Sequence, residues 1–188
     1  MYEIKINDQV YEMRPFERQI FYDNIDRYRE WMNSPKVTKF NAHGLFAKTT
    51  DEINSWLESM NKKEVLCWML YNQAGSWIGV ISLQSFNWVY RSAEIAMWIG
   101  DSTEWGKGLA TNMIELVCQH AFGRMNLNRI WSGTAETNRG MQKAFEKNKF
   151  RKEGVFRQGM FLSGRYADIF CYSLLAQDWM EKEGGRHD

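Results

Sequence analysis

Two glycines separated by a single residue, Gly106 and Gly108, lie between an extended apolar run and an amphipathic one. The run Ile95-Ala-Met-Trp-Ile99 precedes them, and residues 109–122 follow. Glycine adopts backbone angles that a β-carbon disfavours, so successive amides can turn inward, and a helix that begins there adds its partial positive end. A strand, a glycine turn and a helix start therefore predict an anion site that fits a pyrophosphate.

The spacing excludes two other phosphate-binding motifs. A P-loop needs a longer gap before Gly-Lys-Ser/Thr, and a dinucleotide-binding fingerprint needs a third glycine. The loop Glu-Trp-Gly-Lys-Gly-Leu-Ala-Thr, residues 104–111, meets neither pattern.

Glu94 is the first candidate for a general base. Alternation along residues 92–99 places its side chain on the other face of the strand from Ala93 and Ile95. A carboxylate on a largely apolar strand is expected close to the reacting groups. A structural ion pair with Arg91 or with an arginine of the C-terminal hairpin is the alternative. His43, in the loop between the first two predicted helices, is a second candidate base.

Composition favours one folded domain. The 188 residues are 44% hydrophobic and 15% aromatic, and the net charge of +1 gives no electrostatic footprint for nucleic acid. No apolar stretch approaches the ~20 residues of a membrane span, and no signal-peptide core is present, so we expect a cytoplasmic protein. Three widely spaced cysteines, Cys67, Cys118 and Cys171, predict reduced core thiols and no metal site.

The periodicity of the chain predicts strands and helices in a defined order. Expected strands cover residues 2–6, 10–14, 65–71, 77–86, 92–99, 129–132, 150–161 and 165–174. Expected helices cover residues 17–32, 51–60, 109–122 and 139–147, the second capped by Thr49 or Thr50. Strand, crossover helix and strand imply a parallel pair, and Ser163-Gly164 suits a tight hairpin turn. We expect one domain over residues 1–180 and a flexible tail over residues 181–188.

This order, with the loop Trp105-Gly106-Lys107-Gly108-Leu109-Ala110, resembles the GNAT acetyltransferases, and in particular the branch of RimJ/RimL-like ribosomal-protein N-terminal and spermidine acetyltransferases. Asn138 followed by Phe145-Glu146-Lys147-Asn148-Lys149-Phe150 is similar to a second family segment, with Lys149 where glycine is usual. The resemblance implies an α/β (α+β) domain: a mixed, mostly antiparallel sheet, about four flanking helices and a splayed parallel pair at the coenzyme A site.

The resemblance also implies roles for particular residues. The backbone of Ile99 would pair with the pantetheine arm, the amide of Met97 would face the thioester carbonyl, and Asn138 would contact the arm or cap its helix. At the pyrophosphate the expected groups are the amides of Gly106, Lys107, Gly108 and Ala110, the hydroxyl of Thr111, the Lys107 ammonium and Trp105, which could instead pack beneath the loop. His43 would border the acceptor site.

One departure concerns the proton donor to the leaving thiolate. The family's tyrosine is matched by Phe145 and the serine of another branch by Met141, so neither can act as the acid. Three possibilities remain for the leaving thiolate: protonation by a different side chain, protonation by water, or departure as a thiolate stabilised by the N-terminus of the Asn138 helix.

The sequence therefore predicts an acetyl-CoA-dependent N-acetyltransferase that acts on a primary amine by direct attack in a ternary complex. A protein N-terminus, a polyamine, an amino sugar or sugar nucleotide, and an aminoglycoside are all open as acceptors. A homodimer is compatible with this reading, whereas a membrane or nucleic-acid partner is not expected. The rival function is a non-catalytic coenzyme A-binding or sensory domain.

Overall fold

The structure, a computed structural model, describes residues 1–41, 48–59 and 64–184. Within these residues eight strands form one sheet in the order β1-β2-β3-β4-β5-β6-β8-β7. The strands are β1 (Tyr2–Ile6), β2 (Gln9–Pro15), β3 (Val65–Tyr71), β4 (Trp77–Asn87), β5 (Ser92–Ile99), β6 (Arg129–Ala135), β7 (Arg151–Leu162) and β8 (Arg165–Leu175). The predicted mixed, mostly antiparallel sheet is confirmed, since β5 and β6 are its parallel pair.

Seven α-helices lie in the described parts of the chain, more than the four expected. They are α1 (Arg18–Asp23), α2 (Ile25–Asn33), α3 (Pro35–Thr38), α4 (Thr50–Ser59), α5 (Leu109–Gly123), α6 (Arg139–Lys147) and α7 (Ala176–Gly184). The capping prediction for α4 is confirmed at Thr49: its hydroxyl accepts the Glu52 amide at 3.2 Å, and the Glu52 carboxylate accepts the Thr49 amide at 2.9 Å. The hydrogen bonds that the Thr49 amide and hydroxyl donate to the Glu52 carboxylate lower the pKa of Glu52.

The single long helix expected over residues 17–32 was wrong. The helix breaks at Asn24, whose backbone leaves the helical region at φ −118° and ψ 17°. The Asn24 side chain donates to the carbonyl of Ile20 at 2.9 Å, and its amide donates to that of Phe21 at 3.0 Å. Asparagine competes with the helix in this way because its side chain offers the backbone a local alternative partner.

Two hydrophobic clusters cover opposite faces of the sheet. The larger one packs α5 and α6 against the sheet around Ala93, Ile95 and Ile130, all at most 1% exposed. The smaller one packs α1, α2 and α4 around Phe21, Tyr28 and Trp77. Residues of β5 alternate between these faces, which is why one strand can serve both a core and a cleft.

The parallel pair between β5 and β6 is short. It joins only Ser92, Ala93 and Glu94 to Arg129, Ile130 and Trp131. Beyond Glu94, β5 continues to Ile99 beside β4, while β6 continues to Ala135 beside β8. The two strands therefore diverge in the predicted splay, and their free inner edges open a cleft in the sheet.

Candidate active site

The splay opens into a cleft of about 1810 Å³. Its walls include the end of β5, the glycine loop, the inner part of β6 and the first turns of α6. Pockets for a single small ligand usually enclose roughly 300–1,000 Å³. The cleft is therefore large enough for two substrates at once.

The glycine loop has the geometry that the sequence predicts. Gly106 and Gly108 both have positive φ, at 80° and 88°, and Gly108 precedes the first residue of α5. None of the five consecutive backbone amides of residues 106–110 donates to an acceptor in the described parts of the chain. These unpaired donors, at the positive end of a fifteen-residue helix, form a site for an anion.

The buried carboxylate of Glu104 ties the glycine loop to strand β2. Glu104, 8% exposed, accepts the Tyr11 hydroxyl from β2 at 2.8 Å and the Lys107 ammonium at 2.7 Å. Burial, followed by this hydrogen bond, raises the pKa of Tyr11, and the bond to Glu104 raises the pKa of Lys107. The ammonium of Lys107 is thus engaged by Glu104, and because an ammonium has three N–H donors, it can also donate to a phosphate without leaving this partner.

Trp105 joins the loop to the open edge of β5. Its indole N–H donates to the Ile99 carbonyl at 2.8 Å. The Gly100 amide donates back to Ile78 of β4 at 2.9 Å. Because backbone groups alternate in direction along an antiparallel strand, Ile99 and Met97 point their amides away from β4 and into the splay. This is the orientation that the predicted register requires.

Helix α6 forms the other wall of the splay. Asn138 is its N-cap and accepts the Met141 amide at 3.2 Å, so the capping role predicted for it is confirmed. Arg139, Lys143 and Lys147 repeat every fourth residue on one face of α6 and line the cleft. Sequence reasoning missed this cationic row, although its spacing was visible.

Glu94 lies at the closed end of the splay, on the face opposite Ala93 and Ile95 as alternation predicts. One of its oxygens accepts the Gln84 amide at 3.2 Å and the Ser85 hydroxyl at 3.1 Å. The predicted alternative, an ion pair with an arginine, is not found among the described residues, and Arg91 donates to Asn126 instead.

Phe145, which the resemblance matched to the family's tyrosine acid, is a core residue. Phe145 has no exposed surface and stacks between Phe150 and Tyr172, with ring centroids at 5.0 and 5.3 Å. Met141 does line the cleft, as does Tyr172 of β8. The Tyr172 hydroxyl, which sequence reasoning missed, donates to Glu146 at 3.5 Å, and burial followed by that carboxylate raises its pKa.

The structure describes His120 but not His43, the second candidate base. His43 falls in residues 42–47, outside the described residues. His120 accepts or donates at Nδ1 with the Tyr2 hydroxyl at 2.7 Å, and burial lowers its pKa. No group of three or more potential metal ligands occurs in the described chain, and no helix described is long and apolar enough to cross a membrane.

The fold and the glycine-loop cleft match a known family of acyl-transferring proteins. A profile for the acetyltransferase (GNAT) domain matches residues 12–151, so the chain belongs to the GNAT acetyltransferase family.

Individual relatives are named after different acceptors. The chain is 36% identical over 111 residues to a putative ribosomal N-acetyltransferase, YdaF, of Bacillus subtilis, covering 59% of each chain. It is 29% identical over 105 residues to spermidine N(1)-acetyltransferase of Vibrio cholerae, covering 56% of this chain and 60% of that one. These alignments span about three-fifths of each relative's length.

Solved structures share the whole fold. Spermidine N-acetyltransferase from Vibrio cholerae, in complex with CoA and spermine, superposes with a TM-score of 0.80 over 90% of this chain and 98% of that one. The sequence identity is 21%, so this likeness concerns the fold alone.

Proposed function

We propose that the protein is an acetyl-CoA-dependent N-acetyltransferase that acetylates a primary amine by direct attack in a ternary complex. The observation that carries the proposal is the run of five unpaired amides at residues 106–110 beside the open edge of β5. Together they offer donors for a pyrophosphate and a strand edge for an amide-containing arm.

The groups of the cleft fit an elongated anionic cosubstrate. The loop amides of Gly106, Lys107, Gly108 and Ala110, with the Thr111 hydroxyl, would hold the pyrophosphate. The cationic row on α6 faces the same space and favours phosphate groups. Ile99 would pair with the pantetheine arm through its amide, since Trp105 already occupies its carbonyl, and Asn138 lines the path of the arm.

Transfer then needs an oxyanion donor and a proton acceptor. The Met97 amide points into the splay and in this proposal donates to the thioester carbonyl oxygen as negative charge develops there, an effect worth roughly 3–4 kcal/mol of barrier. We assign Glu94 the role of general base: the amine nitrogen bonds to the acetyl carbon, the carbon–sulfur bond breaks, and the amine proton passes to the Glu94 carboxylate.

The leaving sulfur receives its proton from water in this proposal. Phe145 is buried in the core and Met141 has no proton to donate. The N-terminus of α6, where Asn138 caps the helix, stabilises the departing thiolate.

The class of acceptor amine is not yet decided, and relatives of this chain are named for different acceptors. The relatives named for ribosomal proteins and for spermidine make a protein N-terminus and a polyamine the first to test, followed by amino sugars and aminoglycosides. We propose a cytoplasmic setting, since the three cysteines are free thiols, as is usual in a reducing compartment. Assembly as a homodimer stays a prediction.

The test is thiol release from acetyl-CoA with a panel of these amines. Glu94→Gln keeps the size of the side chain and its hydrogen bonds but removes its basicity, so turnover should fall by roughly 10²–10⁴-fold while CoA affinity is kept. Glu64→Gln, at another carboxylate of the cleft wall, is the control and should retain activity.

Two outcomes would contradict the proposal. Full turnover in a destabilised Glu94→Gln protein would make Glu94 structural and move the proton to His43 or to water. Tight CoA binding without thiol release for any amine would favour the second candidate, a non-catalytic coenzyme A-binding domain, which the missing donors at Phe145 and Met141 make worth testing.

A further inference from the structure

Glu94 and Trp131 are the last paired residues of the parallel strands before these diverge. Their neighbours Ala93 and Ile130 are also paired, and both are fully buried in the core beneath α5. Because side chains alternate across a strand, Glu94 and Trp131 point to the opposite face. Adjacent strands lie about 4.8 Å apart, so a carboxylate and an indole stand side by side at the closed end of the cleft, which both line.

The carboxylate of Glu94 has only neutral partners in the described chain. Gln84 and Ser85 both donate to its Oε2, and no described group donates to Oε1. Oε1 therefore has no hydrogen-bond partner among the described residues, and Glu94 lines the cleft.

The cation on the same face of β6 is already neutralised by an ion pair. Arg129, two residues before Trp131 on β6, forms a two-pronged ion pair with Glu153, and Ser173 accepts a further hydrogen bond from it at 3.0 Å. Hydrogen bonds from Arg129 and Ser173 lower the pKa of Glu153 to about 2.

The indole of Trp131 is half-buried and has no described cation or ring against it. Other rings of the described chain do carry a cation, as Tyr71 carries Arg14 and Phe170 carries Lys152. A carboxylate with a free oxygen beside an unoccupied indole face is a pair of groups that attracts the same ligand, a compact cation.

We propose that Trp131 and Glu94 form a subsite for the protonated amine of the acceptor, with Trp131 as a specificity-determining residue. The ammonium lies against the indole and donates one N–H to the carboxylate. Loss of one proton to water gives the neutral amine, and the proton released as this amine attacks passes to Glu94, as in the proposed function. The inference rests on the proposed function. It adds that the acceptor is selected as an amine cation over a neutral molecule of the same shape.

Two isosteric probes test the charge preference without catalysis. Choline carries a quaternary ammonium, and 3,3-dimethyl-1-butanol has carbon in place of that nitrogen. In the absence of acetyl-CoA, the wild-type protein should bind choline at least about tenfold more tightly in a fluorescence or NMR titration. Choline should also compete with the acceptor amine in the thiol-release assay.

Variants at Trp131 test whether its indole ring causes the preference for choline. Trp131→Leu should abolish the preference for choline and raise the KM of the acceptor about tenfold, with the KM of acetyl-CoA unchanged. Trp131→Tyr keeps an aromatic face, so it should retain part of the choline preference and show a smaller rise in the KM of the acceptor. This variant keeps the test decisive if the leucine variant fails to fold. The control is Trp88→Leu, at a tryptophan that is 57% exposed in the β4–β5 turn, and it should behave as wild type.

Equal binding of the two probes, or no binding of either, would overturn the subsite, as would a choline preference that is undiminished in folded Trp131→Leu or in folded Trp131→Tyr. Failure of the proposed function looks different. In that case no amine would release thiol from acetyl-CoA, yet choline would still bind in preference to the alcohol at Trp131.

Discussion

Replacing Gly108 by aspartate places a negative side chain at the start of α5, in the centre of the five unpaired amides. Gly108 has φ 88° and ψ 3°, and a β-carbon built on it meets no atom within 4 Å. The β-carbon of the new residue therefore collides with nothing in the free protein. The expected cost to folding is backbone strain, which for a non-glycine residue in the left-handed region is about 1–2 kcal/mol.

The effect on binding should be larger. If the new carboxylate lies about 5 Å from a phosphate at an effective dielectric constant of about 20, the repulsion is about 3 kcal/mol. Each 1.4 kcal/mol or so is a tenfold change in affinity, so CoA should bind about a hundredfold more weakly, and at least about tenfold after screening by salt.

Gly75→Asp is a matched control in the same chain. Gly75 lies in the β3–β4 turn, outside the cleft, has φ 73°, and likewise has no atom within 4 Å of an added β-carbon. Both variants should lose a similar free energy of unfolding in denaturant titrations. Only Gly108→Asp should lose CoA affinity in calorimetry.

Unchanged CoA affinity in a folded Gly108→Asp protein would refute the assignment of the loop as the phosphate site. An equal loss of affinity in both variants would trace the effect to general destabilisation. Gly106→Val, at the other glycine of the loop with positive φ, should repeat the loss by steric means.

Local features of the fold were predictable from the sequence because local chemistry decides them. The bounds of β3, β5 and α6 match the predicted residues 65–71, 92–99 and 139–147. Each of these elements is bordered by residues that stop or cap it, such as Asn138 before α6. Ser163 and Gly164 both take positive φ, as a tight hairpin turn requires.

Features that depend on a distant partner were not predictable. Strand β6 was expected to end at residue 132, before Gly133 and Thr134, but its pairing with β8 carries it on to Ala135. Helix α7 was not expected, and Trp179 anchors it by packing against Phe122.

The candidate site divides in the same way. The glycine turn is a property of a few adjacent residues and could be identified directly. The contact of Tyr11 with Glu104 joins residues 93 positions apart, and that of Trp105 with Ile99 depends on how the loop folds back. No periodicity in the sequence carries such information, so the groups that support the loop emerge only in three dimensions.

Two further predictions concern stability. Lys149, where the family resemblance leads one to expect glycine, follows α6 with φ 66°, so Lys149→Gly should raise the free energy of unfolding by about 1 kcal/mol in a denaturant titration; no gain would mean that the lysine side chain makes compensating contacts. Glu153 has a pKa of about 2 in the folded protein because of Arg129 and Ser173, below the ordinary 4.5. A lowered carboxyl pKa stabilises the fold above the unfolded value and loses that effect as pH falls through the folded one. The ion pair is partly exposed, so we expect only about 1 kcal/mol, lost between pH 4.5 and 2. Melting curves should show this loss in the wild type and a flatter profile in Glu153→Gln, and parallel profiles would contradict the role of the Arg129 ion pair.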